Sequence, residues 1–225
     1  MQSVCRRLLH HLCFAMVFLP GLVSAHALEI HGSNTIGATL APMLMTRFLE
    51  QLSGQPVISS ASSTENETLL STSKDGKPLT VLVAAHGSST GFTAMQANQA
   101  DIWAASRRVK PAEIAAMAAR ADMTSADSEH VIAIDGLAIL VHPANPVDQL
   151  SIETLAQIFA GEITNWSAVG GPDRAIQVYA RDEQSGTWDT FKDLVLRGQY
   201  AMTDGARRYE SNDQLSADVS RDPAG

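Results

Sequence analysis

An α/β fold with largely parallel strands is what this sequence predicts, on three observations. Short apolar runs of strand length recur along the chain, helical patterns lie between them, and loops rich in hydroxyls and glycine join strand to helix. The strand-like runs are 28–30, 79–84, 102–105, 131–134, 137–141 and 176–179. The first helix is expected over 35–52, where Leu40, Leu44 and Phe48 recur every fourth residue with Met45, Leu49 and Leu52 beside them. Further helices fit 91–98, 111–119, 151–159 and 187–196. Pro111 suits a first helical turn, and Ser151 suits an N-cap. The polar stretch 59–75, ending at Asp75-Gly76, reads as a surface loop or short helix closed by a turn.

The 225 residues begin with a segment of a different kind. Arg6 and Arg7 precede an apolar run over 12–23 that closes on Val23-Ser24-Ala25, the pattern of a cleavable secretory leader over 1–25. The run is shorter than the roughly 18 apolar residues a membrane span needs. Both cysteines, Cys5 and Cys13, lie in this leader, so an exported chain would hold itself together by its core alone. The formal charge is −8. Losing Arg6 and Arg7 leaves 14 basic residues against 24 acidic ones, a charge of −10, which disfavours nucleic acid as a partner. The five histidines beyond the leader, His26, His31, His86, His130 and His142, show no metal-ligand spacing. No metal and no cofactor is expected.

Three loops carry the chemistry: Gly32-Ser33-Asn34-Thr35, Gly87-Ser88-Ser89-Thr90 and Gln184-Ser185-Gly186-Thr187. Each stands before a predicted helix. A helix start offers unpaired backbone N–H groups, glycine lets the backbone approach a ligand, and Ser and Thr add hydroxyl donors. Any one of these loops could be only a helix cap; the three together point to an anion. Arg181, just ahead of the third loop, supplies a planar fork suited to a tetrahedral oxyanion, with Asp182 or Glu183 placed to orient it. Ser106-Arg107-Arg108 ends another predicted strand with a hydroxyl and two guanidiniums. A competing chemistry is a nucleophile elbow at Gly87-Ser88-Ser89-Thr90-Gly91, with Ser89 as nucleophile and Asp135 and His142 as partners. Such a hydrolase leaves the third loop unexplained.

The stretch from Asp135 through Ala138, His142, Pro143 and Asn145 to Val147, followed by Leu155 to Trp166 and by Val169-Gly170-Gly171, resembles the periplasmic phosphate-binding proteins of ABC transporters. The resemblance extends over nearly all of the chain beyond the leader. It implies the two-lobed type II periplasmic-binding-protein fold with a hinge: lobe I over 26–134, lobe II and the start of the return over 135–225. It also implies an inorganic phosphate site made of Ser33, Asn34, Thr35, Ser88, Arg181, Ser185, Gly186 and Thr187, to which the reading of the residues adds Ser89 and Arg107. The implied protein is periplasmic, monomeric, non-catalytic, and delivers its ligand to an ABC permease at the inner membrane. An adhesive or signalling surface module with a secondary phosphate site is the alternative. Two departures stand out. Many family members carry an aspartate where this chain has Arg107, which leaves the choice between phosphate and sulfate open. The sequence also reads as truncated before the first lobe is completed.

Overall fold

The computed structural model describes residues 28–225, so the expected leader over 1–25 lies outside the described residues. Two α/β halves follow each other along the chain. The first is built on a five-stranded sheet of order β2-β3-β4-β1-β5, from β1 (Leu28–Gly32), β2 (Ile58–Ala61), β3 (Glu67–Lys74), β4 (Lys77–Ala84) and β5 (Ile102–Ala104). Strands β4, β1 and β5 are parallel neighbours, whereas β2, β3 and β4 form an antiparallel meander. The loops after β4, β1 and β5 therefore leave the sheet side by side at one edge, the edge where open α/β sheets bind ligands.

The meander corrects the expectation of a loop or short helix over 59–75. Asp75 and Gly76 do turn the chain, with φ of 51° and 74°, the paired left-handed geometry of a two-residue hairpin between Lys74 and Lys77. Ser and Thr at the solvated positions hide the alternation that puts Leu70 fully inside. The helix expected over 35–52 is two helices, α1 (Asn34–Gly37) and α2 (Leu40–Ser53). Pro42 is the reason: it cannot donate in a helix interior, but in the first turn of α2 its absent N–H costs nothing. Leu49 of α2 packs with Ile30, Leu70, Val81 and Val83 in the first core. Helices α3 (Ser88–Gln96) and α4 (Pro111–Met117) complete this half, with Pro111 opening α4 as expected.

The second half contains α5 (Ile152–Ala160), β6 (Tyr179–Arg181), α6 (Gly186–Phe191), β7 (Arg207–Tyr209) and α7 (Asn212–Arg221), with a 3₁₀ turn at Trp166–Val169. Ser151 caps α5 by accepting from the Thr154 N–H at 3.0 Å. The strand expected at 176–179 lies later, at β6, because its ladder partner β7 pairs Tyr179 with Arg207 and Arg181 with Tyr209. The helix expected over 187–196 changes to a π-helical turn from Lys192 to Leu196. The strands expected at 131–134 and 137–141 do not form. A strand exists only through a neighbour's hydrogen bonds, and among the described residues none runs beside them; Ile134 is 98% exposed. Trp188, Phe191, Leu155 and Leu196 make one core of this half, and Ile158, Trp166 and Val178 make another.

Candidate functional site

The three hydroxyl-glycine loops each lead into a helix, and they meet. Ser33 precedes α1, Gly87 precedes α3 and Ser185 precedes α6. Ser89 N–H donates to the Gln184 carbonyl at 3.1 Å, and the hydroxyls of Thr35 and Thr187 lie 3.4 Å apart, so all three loops touch across the two halves. Glycine makes this approach possible. Gly87 has φ of +129°, and a Cβ there would stand 2.5 Å from the Gln184 carbonyl oxygen. At Gly186 a Cβ would stand 2.6 Å from Ser106 Oγ and nearer still to Ser88 Oγ.

A cavity of about 420 Å³ opens at this junction. Thr35, Ser106, Arg181, Thr187 and Asn212 form its polar end, while Leu137, Phe159, Trp166 and Phe191 line its apolar depth. Helix geometry leaves the first-turn N–H groups of α1, α3 and α6 without intrahelical acceptors. Helix α1 is a single turn, so what it offers is N–H donors rather than a macrodipole.

Arg181, at the end of β6, is 6% exposed. Its Nε donates to the Tyr209 carbonyl at 3.1 Å, one terminal nitrogen donates to the Glu210 carbonyl, and the other to Asn212 Oδ1. A guanidinium has five N–H donors, so two remain for the cavity. Burial lowers the Arg181 pKa, while Asp182 and Glu210 work against that loss. Asp182 does not orient the fork, contrary to expectation: its Oδ1 accepts from Gln184 N–H at 3.0 Å, and burial raises its pKa. The orienting groups are two carbonyls and the Asn212 amide. Asn212 also donates its backbone N–H to Asn34 Oδ1 at 3.1 Å, tying the start of α7 to the first loop.

The remaining expected residues divide. Ser33, Asn34, Ser88 and Ser185 are buried in the walls around the junction. Ser88 Oγ accepts from Ser106 N–H at 3.1 Å, and Ser185 caps α6 by accepting from Trp188 N–H. Of the expected set, Thr35, Arg181 and Thr187 line the cavity; Ser33, Asn34, Ser88, Ser89, Ser185 and Gly186 do not, and neither does Arg107. Its two terminal nitrogens donate to Glu113 of α4 at 2.6 and 2.8 Å, and its Nε lies 2.9 Å from Asp189 Oδ2 of α6, off the axis of a linear hydrogen bond. Lys110 and Lys192 also face Asp189. Burial pushes the Asp189 and Glu113 carboxyls up, but these cations outweigh it and lower both. The hydrolase constellation does not assemble. Ser89 Oγ accepts from Arg107 at 3.4 Å, His142 Nδ1 accepts from Ala144 N–H, and Asp135 accepts from Gly136 N–H.

Comparison with known proteins settles the family. The profile of a PBP superfamily domain matches residues 50–222. The chain belongs to the PBP superfamily. Among similar proteins are the phosphate-binding protein PstS of Borreliella burgdorferi, 34% identical over 131 residues covering 58% of this chain and 44% of that one, and protein SphX of Synechococcus elongatus, 31% identical over 158 residues covering 68% and 46%. This PBP superfamily chain thus spans less than half the length of these curated relatives. Its fold superposes on a candidate phosphate ABC transporter substrate-binding protein with bound phosphate from Clostridium perfringens, with a TM-score of 0.63 at 20% identity over 88% of this chain and 68% of the other. An ABC-type phosphate transport receptor from Vibrio cholerae gives 0.55 at 25% identity over the same shares. Two PBP-fold residues of the junction, Asn212 and Glu210, escaped the sequence reading. The Ser211 cap, which accepts from Gln214 N–H at 3.3 Å, was the available signal for Asn212.

Proposed function

We propose that this protein is an exported solute-binding protein that captures inorganic phosphate, or a similar tetrahedral oxyanion, for an ABC permease at the inner membrane. One observation carries the reading: three hydroxyl-rich loops from two halves touch one another beside a cavity whose lining takes Thr35 from the first, Thr187 from the third, and Arg181 with two uncommitted N–H donors. Capture needs no field from the protein as a whole, which is acidic; local dipoles and one buried cation suffice. The chain would work as a monomer with a leader over 1–25, lobe I over 26–134 and lobe II over 135–225, and it would catalyse nothing. Backbone N–H groups at Thr35 and Thr187, the loop hydroxyls around Ser33, Ser88, Ser89 and Ser185, and Arg181 hold the oxyanion, with Ser106 added and Asn34 and Gly186 shaping the wall. Arg107 acts across the cleft on Asp189 instead of on the ligand, so its presence in place of an aspartate does not put a second cation on the oxyanion.

Relatives called phosphate-binding proteins support phosphate as the first ligand to test. The test is thermal unfolding with phosphate, arsenate, sulfate or no addition. A true ligand at a hundredfold excess over its dissociation constant stabilises by about 2.7 kcal/mol. No shift with any oxyanion overturns the reading, and equal shifts with sulfate and phosphate remove the phosphate preference.

A further inference from the structure

His86, in the loop after β4, joins the two halves beside the cleft. Its Nδ1 is 2.6 Å from Glu210 Oε1, and its Nε2 is 3.2 Å from Glu67 Oε1. Glu67 belongs to β3 and is held by the Ser62 hydroxyl at 2.8 Å, whereas Glu210 follows β7 and accepts from the Asn66 amide at 3.0 Å. A neutral imidazole has one donor and one acceptor nitrogen, so it cannot satisfy two carboxylates; the imidazolium donates to both. Loss of the proton turns one nitrogen's lone pair toward a carboxylate and breaks one side of the bridge. The far side of that bridge matters to the cleft, because Tyr209 and Glu210 supply the two carbonyls that orient Arg181.

We propose that protonated His86 is a clasp that holds the Tyr209-Glu210 support of Arg181 against the five-stranded sheet, making closure of the halves proton-dependent. The effect on anion capture rests on the function proposed above; the clasp itself does not. Glu67 and Glu210 touch the His86 ring directly; His31 of β1 acts on Glu67 while paired with Glu29 at 2.8 Å; Arg181 and Asp182 act with Glu210 from the end of β6. Burial weighs against the charged ring, but the hydrogen bonds to Glu210 and Glu67 and their negative charge outweigh it and raise His86 above its usual 6.5. Burial likewise pushes Glu67 up, and the bonds from His86 and Ser62 bring it below its usual 4.5. A raised histidine stabilises fully below 6.5 and loses its effect as pH climbs through the raised value; a lowered glutamate loses its effect only as pH falls through a value below 4.5. The clasp is therefore shut below 6.5 and released as pH rises through the raised His86 value.

The experiment compares the wild-type chain with His86→Gln, Glu210→Gln and the control His31→Gln. Two quantities are followed across the titration: the unfolding midpoint without ligand, and the calorimetric affinity for inorganic phosphate. Phosphate's own protonation affects all four proteins alike and cancels in the ratio of affinities. The expected ratio of His86→Gln to wild-type dissociation constants is roughly five- to tenfold near pH 6, approaching one as pH rises through the raised His86 value. The gap in ligand-free midpoint closes over the same range, and His31→Gln follows wild type. A ratio and a midpoint gap that do not change with pH overturn the clasp, as does a His31→Gln profile matching that of His86→Gln. If no protein binds phosphate, the oxyanion reading fails and the midpoint gap alone decides the clasp. Glu210→Gln carries the same comparison should His86→Gln not fold.

Discussion

Replacing Gly186 by alanine puts a methyl group where the two halves meet. The new Cβ would lie 2.6 Å from Ser106 Oγ, nearer than that to Ser88 Oγ, and 3.1 Å from Ser88 Cβ. Ordinary contact begins at about 3.5 Å, so the overlap is near 1 Å on two atoms at once. Ser88 does not give way freely, because its Oγ accepts from Ser106 N–H and would lose that bond by rotating, while Ser106 Oγ would give up its 3.4 Å contact with Ser88 Oγ. Overpacking of this size costs about 1–3 kcal/mol. The clash exists only with the halves together, so the cost falls on closure and spares each core. Converted to binding, it weakens phosphate affinity roughly 5- to 150-fold. Calorimetry with inorganic phosphate measures the affinity, and scanning calorimetry without ligand measures folding. An affinity within about twofold of wild type would refute closure at this contact; a loss of ligand-free stability as large as the loss of binding would show that Gly186 serves folding instead.

Arg181→Ala should abolish measurable phosphate binding and cost roughly 1–3 kcal/mol of stability in chemical unfolding, because the Tyr209 and Glu210 carbonyls and the Asn212 amide lose their donor. Arg181→Lys should retain part of the stability but little of the binding, since an ammonium cannot reproduce the fork. Asp189→Asn removes the carboxylate shared by Arg107, Lys110 and Lys192. About 2–4 kcal/mol should be lost near neutral pH, below the full value for a broken buried pair because both lysines reach water. Since Asp189 and Glu113 lie below their usual 3.8 and 4.5, the wild-type contribution holds above those values and disappears as pH falls through the lowered ones. Acid titration of unfolding should therefore be flatter for Asp189→Asn. Leu70→Ala, at a fully buried position of β3, should cost about 2–5 kcal/mol by urea unfolding.

Where local pattern and burial agree, the sequence was readable. Strands β1, β4 and β5 and helix α5 are apolar in the rhythm their packing requires, and Ser151 and Pro111 mark helix starts by chemistry that acts within a few residues. The meander at β2 and β3 was obscured because its exposed positions are Ser and Thr, as common in loops as in strands. The runs at 131–134 and 137–141 have strand composition without a strand, since composition cannot supply a neighbour. In the cleft, the loops and Arg181 stood out by residue type, and the structure brings them together. Arg107 was grouped with them because a guanidinium at a strand end suits an anion and a carboxylate equally well; its carboxylate partners lie 6 and 82 positions away. The carbonyls of Tyr209 and Glu210 gave no such sign, because backbone oxygen is present at every residue and only the fold selects which ones matter; Asn212 was marked only by the Ser211 cap before it.

The side-by-side exit of three parallel strands also makes the sheet a ruler. Neighbouring strands lie about 4.8 Å apart, so the loops after β4 and β5, on either side of β1, start roughly 9.6 Å from each other. Ser88 Oγ bridges that span by accepting from Ser106 N–H at 3.1 Å. Under the proposed capture of phosphate, the strand spacing sets how far apart the loops begin, while charge and protonation state are left to the residues that the loops carry.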